Sequence, residues 1–144
     1  MDKKIRLLTI DDYDEMIRVW SISGLPFKPN GRESRSMIEA EIDREQCAFY
    51  GTFDGAKMVA LVIANYDGRR GWINRLAVDP DYRHLGLAAE LIEKCEEFLS
   101  RYGDVIICAL IEELNLPSMG LFKKNGYVCL KEITYWSKRP RPDF

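Results

Sequence analysis

The stretch Asp79-Pro80-Asp81-Tyr82-Arg83-His84-Leu85-Gly86-Leu87-Ala88-Ala89 concentrates most of the chemistry that residue type and spacing announce in this chain. The apolar run Leu76-Ala77-Val78 before it reads as the end of a strand, and the run after Gly86 as the opening of a long helix. A helix that starts there leaves its first backbone N–H groups without carbonyl partners. The positive end of the helix macrodipole favours an anion at the same place, so the junction can hold a phosphate. A phosphate-bearing cofactor is therefore the first expectation.

The second candidate is Glu112-Glu113, a carboxylate pair just past the apolar run Val105–Ile111. An adjacent like charge can raise one carboxyl pKa, which would suit Glu113 to act as a general base; the competing expectation is two loop charges in solvent. His84, the only histidine, is expected to face solvent, with its backbone N–H as the useful group. Arg83 could pair with a phosphate, or with Asp79 or Asp81. Arg69 and Arg70 could meet an acidic acceptor, a solvated turn being the default. Trp72, Tyr66 and Tyr135 could line a pocket, although aromatics on strands are most often core. Cys47, Cys95, Cys108 and Cys129 have no zinc-ligand spacing, and no metal is expected. Cys108, inside an apolar run, reads as an inert core thiol. Glu93, Lys94, Glu96 and Glu97 read as the wet face of the long helix.

These groups need elements to position them. Ile5–Ile10 predicts a strand, and Asp11 and Asp12 can cap a helix with Tyr13, Met16, Ile17 and Trp20 at helical spacing. Gly24, Pro26, Pro29 and Gly31 break regular structure, after which Ser34 can cap a second helix. Asp54-Gly55 between Cys47–Phe53 and Lys57–Tyr66 predicts a hairpin. A further turn at Asp67-Gly68-Arg69-Arg70-Gly71 leads into Trp72–Val78, giving an antiparallel meander. The helix from Leu85 to Arg101 places Leu87, Leu91, Cys95 and Phe98 on one side and stops at Gly103. Val105–Ile111 is apolar enough for a strand covered on both faces, and a helical crossover should set it parallel beside Trp72–Val78. A short helix from Pro117 to Lys124 ends at Gly126, and Tyr127–Trp136 returns as a last strand. Lys138-Arg139-Pro140-Arg141-Pro142 reads as a loose terminus. The order β-α-α-β-β-β-α-β-α-β describes an α/β mixed sheet with helices on both faces.

The 144 residues carry 21 Lys+Arg against 23 Asp+Glu, a net charge of −2. That length favours one domain, residues 1–144, with a core that needs no staples. The charge balance argues against nucleic acid as a main partner. Reduced cysteines are expected, and with them a cytoplasmic protein. Met1–Arg6 has no apolar h-region and no apolar run approaches about 18 residues, so neither an export signal nor a membrane partner is expected. Neither G-x-G-x-x-G nor G-x-x-x-x-G-K-[ST] occurs.

Arg83-His84-Leu85-Gly86-Leu87-Ala88, preceded by Val78-Asp79-Pro80, resembles the Arg/Gln-x-x-Gly-x-Gly/Ala signature that follows the fourth strand in the GNAT superfamily of N-acetyltransferases. Asn115, Ser118, Leu121, Phe122, Gly126 and Tyr127 resemble its later pattern, Asn-x-x-Ala-x-x-Leu-Tyr-x-x-x-Gly-Phe/Tyr. The resemblance runs over residues 5–137. The Tyr66–Gly71 hairpin is similar to that of a small single-domain bacterial and archaeal subgroup, of the kind that includes ribosomal-protein alanine acetyltransferases. The resemblance implies acetyl-CoA as cosubstrate. Backbone amides of His84, Leu85, Gly86, Leu87, Ala88 and Ala89 would hold the pyrophosphate, with Arg83 beside them. Main-chain groups of Leu76, Ala77 and Val78 would pair with the pantetheine arm like an added strand. Asn115 would hydrogen-bond that arm, with Phe122 nearby, and the Val78 N–H would polarise the thioester oxygen. Acetyl would pass directly to a primary amine, on a small molecule or a protein N-terminus, in a ternary complex. Many members of the family are dimers, which leaves a homodimer open.

Three positions depart from the family pattern. Phe122 stands where the usual acid is tyrosine, Asn74 where many relatives have a glutamate base, and Leu110 where ribosomal-protein relatives have another. A departing thiolate with a pKa of roughly 8.5 needs little help from an acid. At pH 7 about 14% of an α-amine with pKa about 7.8 is neutral, against about 0.04% of a lysine at about 10.4. An enzyme without a strong base should therefore favour α-amines, with Glu113 as the remaining base candidate. Two rivals stay open: a catalytically weak acyl-CoA sensor or interaction module, and a nucleotide-binding protein using the same loop.

Overall fold

The computed structural model describes residues 1–144. Its centre is Lys57–Tyr66 (β3), buried without a break from Met58 to Ala64, as an apolar strand with helices on both faces must be. Cys47–Asp54 (β2) pairs with it through the expected hairpin, where Gly55 takes φ +60. Lys3–Leu7 (β1) lies antiparallel to β2, and Arg70–Val78 (β4) antiparallel to β3. Ile106–Cys108 (β5) runs parallel to β4, closing a sheet of order β1-β2-β3-β4-β5.

Tyr13–Ser23 (α1) and Arg35–Ile42 (α2) cover one face, and Leu87–Leu99 (α3) and Leu116–Lys124 (α4) the other. Met16, Val19, Trp20 and Ile38 pack on Phe49, Phe53 and Leu61. Leu87, Leu91, Ile92, Cys95, Leu99 and Phe122 pack on Val59, Val62 and Ile73. Ser34 caps α2 by accepting from the Met37 N–H, and Gly24 ends α1 in the left-handed conformation. No helix is long and apolar enough to cross a membrane.

Four expectations need correction. The last strand does not form: Tyr127–Trp136 has no partner, and Val128, Leu130, Ile133, Tyr135 and Trp136 are exposed. Its apolar residues change phase across Lys131-Glu132, where the Ile133 N–H turns back to the Leu130 carbonyl. One pleated face therefore cannot stay apolar. Second, the strand expected over Val105–Ile111 shrinks to three residues, with Ile106 exposed, because no strand pairs beyond it. Third, Asp12 does not cap α1. Its carboxylate accepts from the Thr9 N–H and pairs with Arg6 at 2.9 Å, and that guanidinium holds it below the usual carboxylate range. Fourth, the carboxyl-terminal tail is exposed but returns to the α1–α2 loop, where Arg141 donates to the Asn30 carbonyl.

Candidate functional site

β4 has strand partners on both edges only at its start. Arg70, Gly71 and Trp72 face Ile106, Ile107 and Cys108, and there β5 ends. From Ile73 to Val78 the edge away from β3 has no strand partner. Such an edge can accept an extended chain as an additional strand. Leu76 and Val78 lean on the α3-side core and Ala77 is buried on the α1 side.

The chain then turns under tight control. Asp79, 3% exposed, accepts from the Asp81 N–H at 2.9 Å, while its own N–H donates to the Val59 carbonyl. Lys57 Nζ and Arg18 Nη1 lie 3.7 and 3.9 Å from its carboxylate. Tyr82 donates to Asp54 at 2.8 Å. Past this anchor His84 and Gly86 take φ of +63 and +77, conformations that delay α3 until Leu87. The first helical bond runs from the Glu90 N–H to the Gly86 carbonyl. The N–H groups of Leu87, Ala88 and Ala89 thus have no helical acceptor, and no side chain caps them. Glu90, the one acidic group in this first turn, is held by Lys3 at 2.8 Å.

The other expected residues fall in mixed places. His84 is exposed, as expected. Arg83 pairs with neither Asp79 nor Asp81; it donates to the Ser23 carbonyl at 3.4 Å. Asn115 caps α4, its Oδ1 accepting from the Ser118 N–H at 3.3 Å, so its NH2 group stays available. Phe122 is buried and packs edge-on against Tyr127, ring centres 5.1 Å apart. The Tyr127 hydroxyl donates to Glu96 at 2.8 Å, so Glu96 is not wholly on a wet face. Burial, then that bond, pushes the Tyr127 pKa well up. Glu112 and Glu113 are exposed on the loop after β5 and form no ion pair. Asn74 is half-buried and Leu110 exposed. Cys108 is half-buried at the last β4–β5 pairing rather than in the core.

The aromatics do not gather into one pocket. Tyr66 stacks on Tyr102 at 4.0 Å, Trp72 donates to Asp67, and Tyr135 is exposed. Tyr66 and Tyr102 instead flank an open hollow of about 210 Å³ at the start of β4, the end remote from the α3 junction. Arg69 and Arg70 form the exposed turn there, their N–H groups fixed by Asp67.

One charged cluster escaped the sequence reading. Glu33, in the α1–α2 loop, has a side chain only 4% exposed, and its Oε1 lies 3.3 Å from Arg75 Nη2 on β4. The Arg75 guanidinium lies over the Trp20 ring, 4.8 Å from its centre. The available signal was Arg75 itself, a lone charge within the apolar stretch Trp72–Val78.

The sequence and the fold are similar to those of known proteins. The acetyltransferase (GNAT) family matches residues 14–127. A protein named acetyltransferase from Yersinia pestis is 31% identical over 124 residues, 86% of either chain. The PaiA N-acetyltransferase of Thermoplasma acidophilum, solved in complex with coenzyme A, has a similar fold. It superposes with a TM-score of 0.78 at 21% identity, over 88% of this chain and 89% of that one. The ribosomal-protein-S18-alanine N-acetyltransferase of Escherichia coli gives 0.71 at 20% identity, over 86% of this chain and 76% of that one.

Proposed function

The chain belongs to the acetyltransferase (GNAT) family and is an acyltransferase, and from that premise we propose that it transfers acetyl from acetyl-CoA to a primary amine by direct attack in a ternary complex. The observation that carries this is a junction: the unpaired edge of β4 leads, through the turn Asp79–Gly86, to the uncapped opening of α3. Coenzyme A matches both halves, with an extended amide-bearing arm and a pyrophosphate.

In this account Leu76, Ala77 and Val78 pair their main chain with the arm, as an added strand would. The amides from His84 to Ala89 hold the pyrophosphate, drawing on the α3 dipole. Arg83, held only by a long bond to Ser23, is free to turn to a phosphate. The Asn115 NH2 donates to the arm. Phe122 supplies buried shape near the thioester, with no proton to give.

Catalysis then rests on placement. Holding the thioester and the amine in contact removes much of the entropic barrier. The Val78 N–H polarises the thioester oxygen as it gains charge. The amine nitrogen bonds to the carbonyl carbon, the C–S bond breaks, and the pair leaves on sulphur as a thiolate. The amine proton passes to solvent or to Glu113, which solvent reaches freely. The acceptors that suit such a site are α-amines, on small molecules or protein N-termini, because they reach neutrality near pH 7.

An amine panel followed by thiol release tests this. The expected result is faster turnover on α-amines than on ε-amines at pH 7, with the gap narrowing as pH rises. If Glu113 takes the proton, Glu113→Gln should lower kcat at least tenfold while coenzyme affinity changes less than threefold; an unchanged kcat assigns the proton to solvent. A clear ε-amine preference at pH 7 contradicts the acceptor class, and tight coenzyme binding with no release on any amine favours a sensor.

A further inference from the structure

Between Asn74 and Ala77 the β3–β4 register slips. Ile63 faces Asn74 and Leu61 faces Ala77, so Arg75 and Leu76 together stand opposite Val62. This is a β-bulge, which bends the strand and re-aims the residues beyond it. Arg75 takes φ +58 there, a conformation that a non-glycine residue keeps only where its surroundings enforce it.

Three contacts supply the enforcement. The Trp20 indole N–H donates to the Arg75 carbonyl at 3.3 Å. The same indole ring supports the guanidinium from below. Glu33 faces the guanidinium from the α1–α2 loop. Glu33 is itself anchored: Tyr13 donates to its carbonyl at 2.6 Å, and Arg32 Nε lies 3.4 Å from its Oε2. Yet neither Glu33 carboxylate oxygen, nor Arg75 Nε or Nη2, has a well-aligned hydrogen bond. A buried pair so poorly satisfied gains little stability, because desolvation offsets the attraction. Its place at the bulge suggests a different use.

We propose that Glu33 and Arg75 are positioning residues, whose ion pair locks the bulge and aims the Leu76–Val78 backbone at the acyl donor. This rests on the coenzyme reading of that edge. The two groups act through the strand and touch neither substrate.

The test compares Glu33→Gln, Arg75→Gly and the double variant, each in the full chain. Glycine adopts φ +58 without strain, so Arg75→Gly keeps the bulge possible but unlocks it. The double variant removes both charges of the pair, leaving only the half-exposed Arg32 without its partner, and carries the test should Glu33→Gln fail to fold. Hydrogen exchange without ligand comes first: the amide of Ala77, which faces Leu61 across the ladder, should exchange at least tenfold faster, with those of the β1–β2 ladder unchanged. With acetyl-CoA and the fastest amine, kcat should fall at least tenfold while the coenzyme Kd stays within threefold. Glu33→Asp, which keeps the charge, should recover part of kcat. Unchanged exchange at Ala77 overturns the lock, as does a kcat within twofold of the parent in folded variants, or a kcat loss matched by equal loss of coenzyme affinity. Faster exchange in a protein that never binds coenzyme would overturn the function proposed above and leave the lock standing.

Discussion

Asp67 illustrates how much one exposed carboxylate can organise. It accepts from the N–H groups of Arg69 and Arg70 at 2.8 Å and from the Trp72 indole at 2.9 Å. The Arg70 N–H first, then the indole and the Arg69 N–H, bring its pKa down to about 2. A carboxyl depressed on folding binds fewer protons in the native than in the unfolded state between its two pKa values. Stability therefore rises with pH from about 2 to about 4 and is lost as pH falls through that window. Urea midpoints of the parent should climb across it, and Asp67→Asn should flatten part of the climb, Asp12 and Asp54 supplying the rest. Equal slopes for parent and variant would mean that the turn does not depend on the ionised form. The same scale explains what the sequence hid. Gly86 was legible at the opening of α3 because its job is local, whereas Asn115, expected only to bond the coenzyme arm, was not read as the cap of α4 that it is. Glu33 and Arg75 meet only through tertiary packing, which no spacing rule reports.

At the scale of elements, the fit of β4 against α3 sets the cleft. Gly71 passes so close to α3 that an added Cβ would lie 2.6 Å from a Leu99 methyl group. Gly71→Ala should cost about 1–3 kcal/mol, since the Leu99 side chain must shift within a fully buried, packed site. Urea unfolding reads this directly, and a change below about 0.5 kcal/mol would mean the packing is looser than described. The meander, the hairpin and the parallel crossover were readable from periodicity and turn residues. The segment after α4 was not, because strand pairing needs a partner edge as well as apolar residues. β5 offers three residues, and the phase change at Lys131-Glu132 spoils the match. Limited trypsin treatment should therefore cut after Lys131 well before the sheet opens. Resistance there as high as in β3 would restore the last strand.

For the whole molecule, the proposed function would have the sheet bring two parts of one ligand to neighbouring backbone groups, so that binding side chains would matter less than the main chain around them. On that proposal, absent acid and base positions would not remove a coenzyme site: Phe122, Asn74 and Leu110 would change proton handling, while Leu76–Val78 and His84–Ala89 present amides whatever their side chains. The most direct measurement is amide chemical-shift mapping of the folded chain titrated with coenzyme A. The expected result is saturable shifts concentrated at Leu76–Val78 and His84–Ala89. No shifts at saturating coenzyme, or shifts confined to the hollow between Tyr66 and Tyr102, would contradict the account.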